Sequence, residues 1–80
     1  DDVPVVELAK TQLAEGKMWI VKVLTELKLA KSSGEARRVI EQGGAYFDGH
    51  RVNNVDAQIA VRNDMVVQVG RRKFAKVKLV

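Results

Sequence analysis

The side chains best equipped for chemistry in this 80-residue sequence are its cations, and they are grouped at structural punctuation. Lys31 stands directly before the pair Ser32-Ser33, and Arg37-Arg38 follow about one helical turn later. Arg51 follows an Asp48-Gly49 turn signal, and Arg71-Arg72-Lys73 follow Gly70. Guanidinium groups at such positions hold phosphate through paired hydrogen bonds. The unpaired N–H groups and dipole at a helix start attract the same group. Covalent chemistry has far less to work with. There is no cysteine and a single histidine, His50, so thiol chemistry, a Cys-ligated zinc and a compact metal cluster are all excluded. No GxSxG, GxxxxGK, GxGxxG or HExxH pattern occurs. A serine triad would have to use His50 beside a hairpin turn. Among the acids, Glu35 is expected in a helix cap and Glu41 within reach of Arg37 and Arg38. No catalytic residue and no metal site is expected in this chain.

The charge distribution sharpens the picture. Residues 1 to 27 carry three bases against five acids, a net of −2, while residues 28 to 80 carry eleven bases against five acids, a net of +6. The whole chain is formally +4 with a pI near 9.7. An acidic arm on a basic body points to a polyanionic partner, and a basic solubilising face is the alternative that charge alone leaves open. Arg37 and Arg38 have their own alternative, pairing with Glu35 and Glu41 on a solvated helix face. At 46% hydrophobic and 30% charged, the chain has the composition of a folded domain rather than a disordered one. No apolar run approaches the roughly 20 residues of a membrane span and no signal pattern opens the chain, so no membrane partner is expected. The first residue, Asp1, is not Met, which reads as a piece of a longer protein.

These cations must be positioned by a small number of elements. Trp19, Ile20, Val23, Leu24 and Leu27 recur at helical spacing and predict an amphipathic helix over residues 18–29, with Trp19 as its largest core group. Ser32 followed by Glu35 reads as a capping box opening a second helix. Ala36, Val39 and Ile40 form its inner stripe, and Gly43-Gly44 end it. The period then falls to two. Ala45–Phe47 and His50–Val52 flank the Asp48-Gly49 hairpin signal; Ile59–Val61, Met65–Val69 and Lys73–Val80 read as further strands. In the last of these, Ala75, Val77 and Leu79 share one face, and Phe74, Lys76, Lys78 and Val80 the other. The fold class is α+β: two packed helices, then a small twisted, mainly antiparallel sheet. Residues 1–16 hold Pro4 and a weak stripe of Val6, Ala9 and Leu13. They read as a short helix or an extended linker, a junction preceding the domain at residues 17–80.

The run LTELKLAKSSGEARRVIEQGGAYFDGHRV resembles the S-four domain, the small αL RNA-binding motif named after small-subunit ribosomal protein four. That pattern is a helix ending in a Gly-Leu-like turn, a Ser-Arg/Lys pair, x-x-Ala-Arg, two apolar residues, x-x-Gly, a short strand and an Asn-Gly hairpin. Ser32-Ser33, Ala36-Arg37, Val39-Ile40, Gly43-Gly44 and Asp48-Gly49 stand at the matching positions. Ser33 replaces the usual base, with Lys31 and Arg38 nearby to compensate. Asp48 replaces the usual Asn and places a negative charge near RNA. The flanks, EGKMWIVKVLTELKLAKSSGEARRVIEQGG and VVQVGRRKFAKVKL, are similar to the C-terminal domain of bacterial tyrosyl-tRNA synthetases.

This resemblance implies a non-catalytic, cytoplasmic domain that grips tRNA for tyrosine while an absent catalytic domain binds ATP and tyrosine and charges the tRNA. The parent would be a homodimer and the fragment a monomer, with no cofactor of its own. The expected RNA-binding residues are Lys31, Ser32, Ser33, Arg37, Arg38, Gln42, His50, Arg51, Arg71, Arg72 and Lys73. Two other readings remain: the same domain on an rRNA-modifying or ribosome-associated protein, and a protein-interaction module whose basic tail protects an edge strand.

Overall fold

The computed structural model describes residues 3–80. In chain order its elements are β1 (Val5–Leu8), a 3₁₀ turn (Lys10–Gln12), β2 (Lys17–Trp19), α1 (Ile20–Glu26) and α2 (Ser33–Glu41). Then follow β3 (Ala45–Phe47), β4 (His50–Arg51), β5 (Gln58–Ala60), β6 (Val66–Val69) and β7 (Lys73–Leu79). Five strands form one sheet in the order β1-β7-β6-β3-β4, and β2 pairs with β5 in a separate two-stranded ribbon. Every pairing is antiparallel except β1 with β7.

The core lies between the helices and one face of the large sheet. Ile20, Val23 and Leu24 of α1 and Ala36 and Ile40 of α2 are 0% exposed, as are Ala45, Val67 and Val77 of the sheet. Removing this much apolar surface from water is the main stabilising contribution available to so short a chain. The expected inner stripe of α2 is therefore the observed one, with Val39 half-buried at its margin.

The first helix differs from its expectation. It begins at Ile20, because Trp19 has extended backbone (φ −57°, ψ 133°) and pairs with Gln58 across the β2–β5 ribbon. Trp19 is consequently half-buried at the rim of the core rather than inside it, with its indole Nε1 donating to Val55 O at 2.7 Å. A helical stripe and a short strand feeding a helix place the same side chains inward here. Met18 is 3% exposed from the strand, and Ile20 is buried from the helix.

The N-terminal segment also departs from expectation. Val5–Leu8 form an edge strand in parallel register with β7, Val6 opposite Val77 and Leu8 opposite Leu79. Leu8 is only 2% exposed. Lys10 N donates to Val80 O and closes the strand. The segment expected as a helix or junction is thus part of the domain's sheet as far as it is described; Asp1 and Asp2 lie outside the described residues. Parallel pairing with residues 71 positions further along the chain leaves no local periodic signature.

Candidate nucleic-acid interface

The sequence expected phosphate at the start of α2. Ser32 is the N-cap, its Oγ accepting from Glu35 N at 3.1 Å. The return bond of the capping box is displaced by one residue: Glu35 Oε1 accepts from Lys31 N at 3.0 Å, not from Ser32 N. A carboxylate therefore already stands where the dipole would draw an anion. Lys31, Ser32 and Ser33 are all exposed around it.

Arg37 and Arg38 are exposed on α2, and neither is in an ion pair among the described residues, where Arg62–Asp48 is the one pair found. Instead the Arg37 guanidinium lies over the Trp19 ring, 5.3 Å from its centroid. Cation–π stacking uses the face of the guanidinium and leaves its N–H edges for an anion. The Val55 bond that holds the indole thus also orients Arg37.

At the far end of α2, about 14 Å from its start at 1.5 Å per residue, the helix closes in a Schellman motif. Gly44 N donates to Val39 O at 2.9 Å and Gly43 N to Ile40 O at 3.0 Å. Gly43 takes φ +77° there, as the left-handed position of that motif requires. Gln42, the C-cap residue, is exposed. The Arg51 side chain lies against Gly43, its Cδ 3.3 Å from where a Cβ would stand. A cation at a helix C-terminus is favourably placed against the dipole. His50 and Arg51 are adjacent in β4, so the strand sends them to opposite faces of the sheet; both are exposed.

The β6–β7 turn joins these groups. Gly70 N donates to Gly44 O at 2.8 Å, which ties the turn to the end of α2. Arg71 and Arg72 on the turn and Lys73 at the start of β7 are exposed. Arg72, Lys73 and Phe74 then line a cleft of about 440 Å³ with Pro4, Lys28 and Leu29. The cleft's lining contains three bases and no acid. A basic rim therefore links Arg51 beside Gly43, through the Gly70–Gly44 bond, to Arg71, Arg72 and Lys73, and across the cleft to Lys28. Arg37 stands apart from it, beside Trp19.

Lys28 is a rim cation that the sequence pattern did not single out. It occupies the left-handed position after α1 (φ 61°), where Leu29 N donates to Leu24 O and Lys28 N to Thr25 O, a second Schellman closure. A side-chain-bearing residue there is under strain that glycine would not feel. The Gly-Leu-like turn of the motif was the available signal.

Asp48 is another refinement. With Gly49 it makes a turn of two positive φ values, 50° and 86°, the type I′ geometry of a tight hairpin. Its Oδ1 accepts from Val66 N at 2.9 Å, and its Oδ2 pairs with Arg62. The acid expected to repel RNA is thus neutralised by a base from outside the candidate set.

Fold and site together define a small α+β domain with a basic cleft whose lining holds no acid. A family model described as the tyrosine–tRNA ligase SYY-like C-terminal domain matches residues 1–77. The tyrosine–tRNA ligase of Moorella thermoacetica is 38% identical over 76 residues, covering 95% of this chain and 17% of that protein. That of Bordetella avium is 43% identical over 79 residues, covering 99% of this chain and 18% of its own length. The Bordetella pertussis ligase is 48% identical over 61 residues, 76% of this chain and 15% of that protein. This chain belongs to the family of SYY-like C-terminal domains of tyrosine–tRNA ligases. It spans less than a fifth of the length of the relatives it matches.

Proposed function

We propose that this chain is the tRNA-binding appendage of a tyrosine–tRNA ligase and positions tRNA for tyrosine by gripping its phosphates. The observation that carries the reading is the cleft lined by Lys28, Arg72 and Lys73 and by no acid, with Arg71 next to it in the chain and Arg51 against Gly43. Structured RNA is read mostly through its shape, phosphates and 2′-hydroxyls, and exposed cations at the β6–β7 turn and its cleft suit that task. Arg37, held over Trp19, adds a fixed guanidinium to one side of the rim, and Arg38 adds a further exposed cation on the outer face of α2. Gln42 at the end of α2 and His50 in β4, both exposed, offer further hydrogen-bonding groups. ATP and tyrosine belong, on this reading, to the remainder of such a ligase, a cytoplasmic homodimer joined to this domain beside β1. The 80-residue chain alone would be a monomer.

Titration of the chain with a tyrosine tRNA transcript at several salt concentrations tests the reading. Arg72→Ala, Lys73→Ala and Arg37→Ala should each weaken binding by about 1 kcal/mol. Each should also flatten the slope of log affinity against log salt by about 0.7 to 0.9 for every phosphate no longer neutralised. Salt-independent binding, or none up to high micromolar concentration, would refute it.

A further inference from the structure

The helices cover one face of the five-stranded sheet and leave the other open. Along the strands the inward residues Ala45, Phe47, Val67, Val69, Ala75 and Val77 are buried. The residues between them, Tyr46, Val66, Gln68, Phe74 and Lys76, are only half-buried although each lies on an interior strand. Register places Arg51, Tyr46, Gln68 and Phe74 in one row across β4, β3, β6 and β7. Val66, Lys76 and Val5 form the next row, and Val5 is 58% exposed.

This open face is both aromatic and basic. Tyr46 and Phe74 stand two strands apart, about 10 Å at the usual strand spacing. Between them Gln68 is held by its Nε2, which donates to Gly70 O at 2.7 Å, and its Oε1 remains as an acceptor. The outward positions carry Arg51, Lys76 and Lys78 against a single acid, Glu7, which is in register with Lys78. An apolar protein surface seated here would strand Lys76 without a counter-charge, at considerable desolvation cost. A nucleic acid strand answers both features, because each base offers a π-face and each linkage a negative charge.

We propose that this face is a stacking surface for unpaired nucleotides, with Tyr46 and Phe74 each taking one base and Lys76 and Arg51 the adjoining phosphates. The proposal rests on the RNA-binding reading above and adds to the rim a second surface, specific for unpaired RNA. Arg51, lying against Gly43, stands where the two surfaces meet.

Three RNA-binding measurements on the 80-residue chain separate the two ideas: short oligouridine, a blunt-ended RNA duplex, and ring-proton NMR. Tyr46→Leu and Phe74→Leu keep apolar bulk on the sheet and remove the ring. Each should weaken oligouridine binding about tenfold, the contribution of one stacked base, and Tyr46→Leu, whose residue is not part of the cleft lining, should leave duplex affinity within about twofold. In the unaltered chain the Tyr46 and Phe74 ring protons should move upfield as oligouridine is added, a readout that needs no variant to fold. Unmoved rings with unchanged oligouridine affinity in both variants would overturn the stacking surface; if Arg72→Ala still weakens duplex binding, the RNA-binding function survives that result. Failure of the unaltered chain to bind either RNA would overturn both. Ring shifts that grow with protein concentration before any RNA is added would mark the face as a contact between copies of the chain and overturn the proposal.

Discussion

Replacing Lys28 by glycine should raise stability and lower RNA affinity at once, and the opposite signs make it a demanding test. Lys28 holds φ 61°, a conformation that costs an L-residue roughly 1–2 kcal/mol and glycine almost nothing. Against that relief stands the greater unfolded-state freedom of glycine, about 0.5–1 kcal/mol. The Lys28 side chain is exposed and makes no hydrogen bond or ion pair among the described residues, so little packing disappears with it. The net expectation is a gain of about 0.5–1 kcal/mol. At about 4–8 °C per kcal/mol for a domain of this size, that is a rise of roughly 2–8 °C in melting temperature. Binding should move the other way. Lys28 shares its cleft with Arg72 and Lys73, and losing one of three converging cations should weaken tyrosine tRNA binding by about 1 kcal/mol, near fivefold. Differential scanning calorimetry gives the first quantity and a salt-resolved titration the second. Lys28→Asn, which tolerates the left-handed conformation and also lacks the charge, should reproduce the affinity loss with less gain in stability. A Lys28→Gly chain that melts lower than the unaltered one would refute the strain argument. Unchanged tRNA affinity would remove Lys28 from the rim.

The remaining expectations concern the parts that orient the cations. Ser32→Ala removes the acceptor for Glu35 N and should cost about 1 kcal/mol of stability, seen as a melting temperature lower by about 4–8 °C. Trp19→Phe keeps a ring under Arg37 but deletes the bond to Val55 O, so it should cost about 1–2 kcal/mol in denaturant unfolding, well short of the collapse expected for a tryptophan in the core centre. Asp48→Asn preserves the acceptor for Val66 N while releasing Arg62, so stability should change by less than about 1 kcal/mol and RNA affinity should rise with the extra cation. If affinity falls instead, the Asp48–Arg62 pair contributes to the interface as a unit.

Local signals in the sequence were sufficient where an element is made by neighbours. The Ser32 cap, the Gly43-Gly44 closure and the Asp48-Gly49 turn each follow from a few adjacent residues, and each stands where the spacing placed it. The alternation of β7 likewise follows from its own residues, with Ala75 and Val77 inward. What escaped were relations between distant segments. The parallel pairing of β1 with β7 is invisible locally, because Val5, Val6 and Leu8 become a strand only once Lys76–Leu79 is beside them. The β2–β5 ribbon is similar: Met18-Trp19 reads as the start of α1 until Gln58–Ala60 pairs with Lys17–Trp19. The stacking of Arg37 on Trp19 depends on that ribbon, since an indole carried inside α1 would face the core. The candidate cations were legible by type and position, but their assembly into a rim depends on Gly70 reaching Gly44 and on Arg72 reaching Lys28.

The same geometry decides which feature of the domain should hold an anion. Helix starts are ready-made phosphate sites only while their N–H groups are available and no negative charge is already present. In α2 the Ser32 hydroxyl takes Glu35 N, and Ser32 O takes Ala36 N. The Glu35 carboxylate, bonded to Lys31 N, supplies the negative charge that complements the dipole. A phosphate arriving there would meet like charge at close range, a repulsion that grows as water is excluded. The lining of the Lys28, Arg72 and Lys73 cleft holds no acid. Arg71 and Arg72 on the turn and Lys73 at the start of β7 are exposed on a backbone fixed at Gly70 by its bond to Gly44 O, which suits an RNA backbone presenting phosphates at regular intervals. On the RNA-binding proposal, the basic excess of residues 28–80 acts mainly from the β6–β7 turn and the cleft beside it, and α2 contributes through the side chains of Arg37 and Arg38 more than through its dipole.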